Sequence, residues 1–245
     1  MAKKVRTPPP PRRVQAPKVR SGRERSSRAP AQSLRERLNP WYVGAAVAVL
    51  LVAGVVIGVL ATKGGGKPTP PRVNSSVVIP SNLPGLLVTK PPWGPNNGAK
   101  LLPRLQALGI PELGQEQLAF HIHQHLDIYD DGKLVSVPAL IGIHPTGSTF
   151  FADLHTHDTS GIIHVESATQ YDYTLGQFFG VWGVRLSKTC IGGLCGNTPL
   201  HIWVNGTPFL GDPTKLVLTS HEEIAIGFGT PPAKVPTHFS FPSGY

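Results

Sequence analysis

Residues 118–138 read LAFHIHQHLDIYDDGKLVSVP, and the fold follows from this stretch. From Leu118 the side chains alternate with period two: Phe120, Ile122, Leu126 and Ile128 fall on one face of a strand, and His121, His123, His125, Asp127 and Tyr129 on the other. One face packs against a core and the other carries imidazole. Asp130-Asp131-Gly132 supplies turn residues with a left-handed tendency, so the spacing predicts a hairpin with a type I′ turn, whose return strand runs through KLVSVPALIGI.

Working outward, Leu101, Leu102, Leu105 and Leu108 recur at helical spacing and predict a short helix before the hairpin. Strands are expected around Leu154–His157 and Ile162–Glu166. Thr174 with Gln177 three residues on forms a capping box that opens a helix ending near Trp182. LHIWV, the Asn205-Gly206 turn, TPFL, LVL and EIAIGF then read as further strands. The fold class expected is α+β: a small β-rich domain of about seven strands with one or two helices, an order that suits a β-grasp-like arrangement.

The flanks have another character. Residues 1–40 hold 12 of the 23 Lys and Arg but 2 of the 14 acids, a net of +10, which leaves −1 for the rest of the chain. This Pro-rich basic stretch is expected to be a disordered cytoplasmic tail. Nothing beyond residue 40 forms a basic stripe or a nucleic-acid-binding motif, so no nucleic acid partner is expected. Residues 41–62, WYVGAAVAVLLVAGVVIGVLAT, carry no charge and are long enough for a transmembrane helix across the lipid bilayer. A cleaved signal peptide expects a shorter positive region and a shorter apolar core. Trp41 and Tyr42 suit the headgroup level, and the preceding cations orient the N-terminus inward. The expectation is a single-pass protein of the cell membrane with an extracytoplasmic C-terminal domain. Residues 63–100 are read as a Gly/Pro-rich linker, 101–229 as the His-rich domain and 230–245 as a Pro-rich tail.

All ten histidines lie at or beyond position 121. Adjacent members of the His121, His123, His125 row stand about 6.6–6.8 Å apart along a strand, close enough for two imidazoles to converge on one ion. The outer two are twice as far apart, so the triplet should give a pair plus an outlier, or contribute to two sites. His155 and His157 repeat the spacing, and His164 with Glu166 shares one face of the next strand. The candidate metal ligands are His121, His123, His125, His155, His157 and His164. Asp127, Asp158 and Glu166 are expected to accept from the outer ring N–H groups. His201 and His221 are weaker candidates, and His144 and His238 are ordinary. If the Leu154 or Ile162 segment pairs beside Phe120–Asp130 in the register that hides the apolar residues, His123, His155, His157 and His164 reach a single ion. Imidazoles without thiolates suit zinc, copper(II), nickel or iron(II), raw affinity favours copper, and the transition metal ion expected is copper or zinc.

Three patterns bear comparison. The cupin spacing, with Glu a few residues after His-x-His, is not met, because Glu166 follows His157 too late. FHIHQH resembles the strand-borne His-x-His pair of the α-carbonic anhydrases over a few residues, a likeness of geometry. The segments HIHQHLDI, LHTHDTSGIIHVE and TLGQFFGVWG resemble an uncharacterised family of bacterial membrane-anchored proteins over most of residues 118–228, which implies membrane anchoring and no particular activity.

Cys190 and Cys195 enclose Ile-Gly-Gly-Leu and are expected to form a structural disulfide outside the cytoplasm; a dithiol redox pair is the rival reading. No nucleophile elbow or phosphate loop is present. The first functional expectation is a membrane-anchored extracytoplasmic protein for copper or zinc handling or sensing, without catalysis. A three-His zinc enzyme of hydrolase or lyase type, and an envelope scaffold with pH-sensitive histidines, are the alternatives.

Overall fold

A computed structural model describes residues 69–144, 150–197 and 199–245. The proposed transmembrane segment, residues 41–62, and the basic tail lie outside the described residues. Among those described, no helix is long and apolar enough to cross a membrane.

The first long strand, β2 (Phe120–Asp130), runs through the middle of a seven-stranded sheet. Its alternation decides its two faces: Leu126 and Ile128 enter the core, with Phe120 and Ile122 packed against it, while the imidazoles face away. The two-residue turn Asp131-Gly132, with φ of 47° and 75°, returns the chain as β3 (Lys133–Val135), the type I′ geometry that matches strand twist. β7 (Ile162–Ser167) pairs antiparallel along the first half of the same edge of β2, and β6 (Leu154–His155) pairs with β7. On the opposite edge β12 (Glu223–Phe228) lies parallel to β2, followed by β10 (His201–Val204) and β11 (Thr207–Pro208), the last two joined by the Asn205-Gly206 turn. The sheet order is β11-β10-β12-β2-β7-β6. A smaller sheet joins β1 (Glu112–Leu113), β5 (Phe150–Ala152) and β4 (Ile143–His144), and β8 (Cys190–Ile191) pairs with β9 (Leu194–Cys195). The domain is thus α+β, small, and mostly sheet.

Two short helices complete it. α1 (Leu101–Leu108) ends on Gly109 in the left-handed conformation. α2 (Leu175–Trp182) begins at the capping box: the Gln177 amide donates to Thr174 Oγ1 and the Thr174 amide donates to Gln177 Oε1. Phe178, Phe179 and Trp182 of α2 are buried with Ile163, Val165, Ile224 and Ile226 from the sheet face opposite the histidines. A disulfide joins Cys190 to Cys195 across β8 and β9. The hairpin needs glycine at 192, where φ is 54° and a Cβ would stand 2.5 Å from the Trp93 ring.

Three expectations change. The return strand after β3 stops at Val135, because Pro138 has no N–H for a ladder; Ile143–His144 pairs in the smaller sheet instead. Of TPFL and LVL, only Thr207–Pro208 is a strand; Leu216 and Val217 make isolated bridges. The stretch read as a spacer to residue 100 packs from Val77 onward, with Val77, Leu83 and Trp93 buried. Its anchor is Arg104 of α1, buried and with its pKa lowered to about 10 by that burial. Its guanidinium donates to the carbonyls of Pro84, Asn96 and Val181. Proline and glycine shorten local structure, but aromatic and aliphatic side chains between them still supply apolar area. The C-terminal stretch also folds back: Phe239 stacks on His125 with ring centroids 3.8 Å apart, and Tyr245 lies 4.5 Å from the His123 ring.

Candidate metal centre

Pairing register builds the centre. His123 of β2 is opposite His164 of β7, and His164 is opposite His155 of β6, so three strands present one row of imidazoles. The neighbouring row pairs His121 with Glu166. A one-residue slip between β2 and β7 would turn His164 and Glu166 into the apolar core. His157 follows β6 and comes round to the same side, because Thr156 points inward: its hydroxyl donates to the Pro138 carbonyl and accepts from the Ile141 amide.

The donor atoms are close. His155 Nε2 is 3.2 Å from His157 Nε2, and Glu166 Oε1 is 3.1 Å from His121 Nε2, 3.2 Å from His164 Nδ1 and 3.7 Å from His155 Nε2. At metal–nitrogen bonds of about 2.0–2.1 Å, two ligand atoms on a tetrahedron stand about 3.3–3.4 Å apart, so these are the edges of a coordination polyhedron. Two overlapping sets of ligand atoms, each within 4.8 Å of one another, result: His155, His157, His164 and Glu166; and His121, His123 and His164; His125, Asp127 and Glu223 make a third, separate group at the same spacing.

Burial prepares them. His155 is fully buried, and its Nδ1 faces the Ala152 carbonyl at 2.9 Å. A carbonyl only accepts, so the proton sits on Nδ1 and the Nε2 lone pair points into the cluster. Desolvation, helped by the field of neighbouring imidazoles, lowers the pKa of His123 to about 4. Desolvation also lowers that of His155 to about 4, against the pull of Glu166, and lowers His157. For Glu166, 2 % exposed, burial opposes ionisation, but the His164 hydrogen bond and the fields of His155 and His121 outweigh it and the pKa falls. At neutral pH Glu166 is therefore a buried carboxylate, and His123, His155 and His157 are neutral imidazoles. Among the described residues Glu166 Oε2 is buried with no hydrogen-bond partner. A buried carboxylate oxygen without a donor is costly, and a cation removes that cost.

His125, read from sequence as a ligand, is set apart. Its Nδ1 lies 2.8 Å from Glu223 Oε2 and its Nε2 2.8 Å from the Ser160 carbonyl. Both nitrogens face acceptors, so both carry protons and no lone pair is left for an ion. Burial alone would lower its pKa; the hydrogen bond and charge of Glu223 raise it. Asp127 lies beside this pair and accepts from the Tyr129 hydroxyl. Glu166, expected to stand behind a histidine, is itself a donor to the centre. Asp158 caps the turn through the Ser160 amide and belongs to neither set. His201 stacks on Trp203 and His221 packs tilted against Phe241; His144 stacks on Phe150 and His238 is exposed, all four outside the sets. Sequence reasoning passed over Glu116, 3.3 Å from His157 Nε2, and Glu223; only distant pairing brings either to a histidine. A cavity of about 540 Å³ opens beside α2 between Leu83, Phe179, Arg185 and Lys215, and none of the six donors lines it. Compared with protein-family models, curated proteins and solved structures, the chain has no match.

Proposed function

We propose that this protein binds a transition metal ion, copper or zinc, through His155, His157, His164 and Glu166, and serves metal handling or sensing rather than catalysis. One observation carries the reading: the imidazoles of His121, His155, His157 and His164 converge on a buried carboxylate, one of whose oxygens has no partner among the described residues. Three nitrogens and one oxygen complete a tetrahedral shell, and a shell filled by protein holds an ion rather than opening it to substrate. Nitrogen and oxygen donors without thiolate favour zinc or copper(II), with copper ahead on raw affinity. The arrangement of the domain is proposed to be β-grasp-like, supported by β2 lying between β3 and β12 and parallel to β12. The cell-membrane location, with residues 1–40 cytoplasmic, 41–62 spanning the bilayer and the domain outside, rests on charge asymmetry and the uncharged run. The disulfide suits an oxidising compartment.

The test is equilibrium dialysis of the chelator-stripped chain against zinc and against copper(II). Stoichiometric uptake is expected, lost in the His157→Ala/His164→Ala double variant and kept in His238→Ala. Uptake unchanged in the double variant refutes the assignment.

A further inference from the structure

His121 and His123 are donors that the proposed four-ligand shell leaves over. They lie on β2, next to His164 on β7, with His121 to His123 ring centroids 4.4 Å apart and His123 to His164 4.6 Å. Their donor atoms and that of His164 all fall within 4.8 Å of one another. Glu166 stands at the border between this set and the His155 and His157 pair: its Oε1 is 3.1 Å from His121 Nε2, while its Oε2 is buried and without a hydrogen-bond partner among the described residues. A carboxylate so placed has one oxygen for each of two ions.

We infer that the centre takes a second divalent cation, held by His121, His123 and His164, beside a first held by His155, His157 and Glu166, with Glu166 bridging the two. The inference rests on the proposed metal-binding function and extends it. The arithmetic of donors closes: six side chains divide into two sets of three, with no nitrogen used twice. When one ion is bound, His164 completes its four-ligand shell; when the second arrives, His164 turns to His121 and His123, so the second ion has three imidazoles and one Glu166 oxygen, and the first keeps a position open to water or an anion. Two-ion sites of this kind hold their metals about 3.5–4 Å apart, a separation a single bridging carboxylate spans. Glu166 brings one negative charge to two cations, so the second ion binds more weakly than the first.

The experiment titrates the full-length, chelator-stripped chain with copper(II), following stoichiometry by equilibrium dialysis and spin coupling by electron paramagnetic resonance. The expected result is two ions per chain: an isolated copper signal at one equivalent, and its broadening or loss as the second, adjacent ion binds. His121→Ala, at a partly exposed position, should bind one ion and keep the isolated signal, and His123→Gln should do the same. One ion in the wild type overturns this inference and leaves the proposed function standing. No binding overturns both. Two ions without coupling place the second elsewhere and refute the bridged centre, as does coupling that survives in both variants.

Discussion

Acidification should destabilise the metal-free protein by an amount the buried imidazoles set. His123 and His155 titrate near 4 in the folded chain, against an ordinary value of 6.5. The unfolded chain therefore takes up protons that the folded chain refuses, and stability falls as pH drops below 6.5 until it reaches about 4. Between pH 6.5 and 5 each group removes about 1.6 kcal/mol and the pair about 3 kcal/mol, while Glu222, its carboxyl raised by burial to about 7, takes up its proton first in the folded chain and returns about 1.7 kcal/mol, for a net loss of about 1.5 kcal/mol. His157 is shifted in the same direction and adds to the loss. His125 acts oppositely, but its raised pKa makes its contribution constant below 6.5, outside this window. Glu166, with its pKa lowered, keeps its contribution until pH falls below the ordinary carboxylate value. Urea unfolding of the chelator-stripped chain at pH 6.5 and 5, extrapolated to zero denaturant, measures the drop. In His155→Gln about 1.6 kcal/mol of loss should disappear, since one of the two histidine protons is gone. A drop in His155→Gln as large as in the wild type would refute the reasoning.

Arg104→Ala should cost about 2–4 kcal/mol, because it strips the buried carbonyls of Val181, Asn96 and Pro84 of donors; chemical denaturation reads the loss, and limited proteolysis should cut first between residues 84 and 98. Without reductant the chain should show no free thiol, and reduction should lower stability by about 2 kcal/mol for so short a ring; two reactive thiols in the native protein contradict this. In intact cells, an impermeant thiol reagent should reach a cysteine introduced at Ser243 and not one introduced near the N-terminus, and the reverse pattern would invert the proposed orientation.

What the sequence alone determined is what depends on neighbours a few residues away. The period of two in residues 118–130 told the apolar face of β2 from its imidazole face, because successive side chains of a strand point oppositely whatever the strand pairs with. Asp131-Gly132 and Asn205-Gly206 announced their turns, and Thr174 with Gln177 announced the start of α2, because those geometries close within four residues. The list of histidines at the centre was nearly complete for the same reason: His121 and His123 share a face, as do His164 and Glu166. Tertiary structure alone decided which strand lies beside which, and with it the division of labour among those residues. His125 sits on the face of His123, yet the parallel pairing of β12 against β2 places Glu223 opposite it and the Ser160 carbonyl on its other nitrogen, so it holds protons. Glu166 reads from sequence as support for a neighbouring histidine, but the register His121 to Glu166 and His123 to His164 makes it the hub. Arg104 looks like a surface charge on an amphipathic helix until residues 84–96 fold over it. Register and long-range cover are set by burying the whole apolar face at once, a sum over the chain that no local window contains.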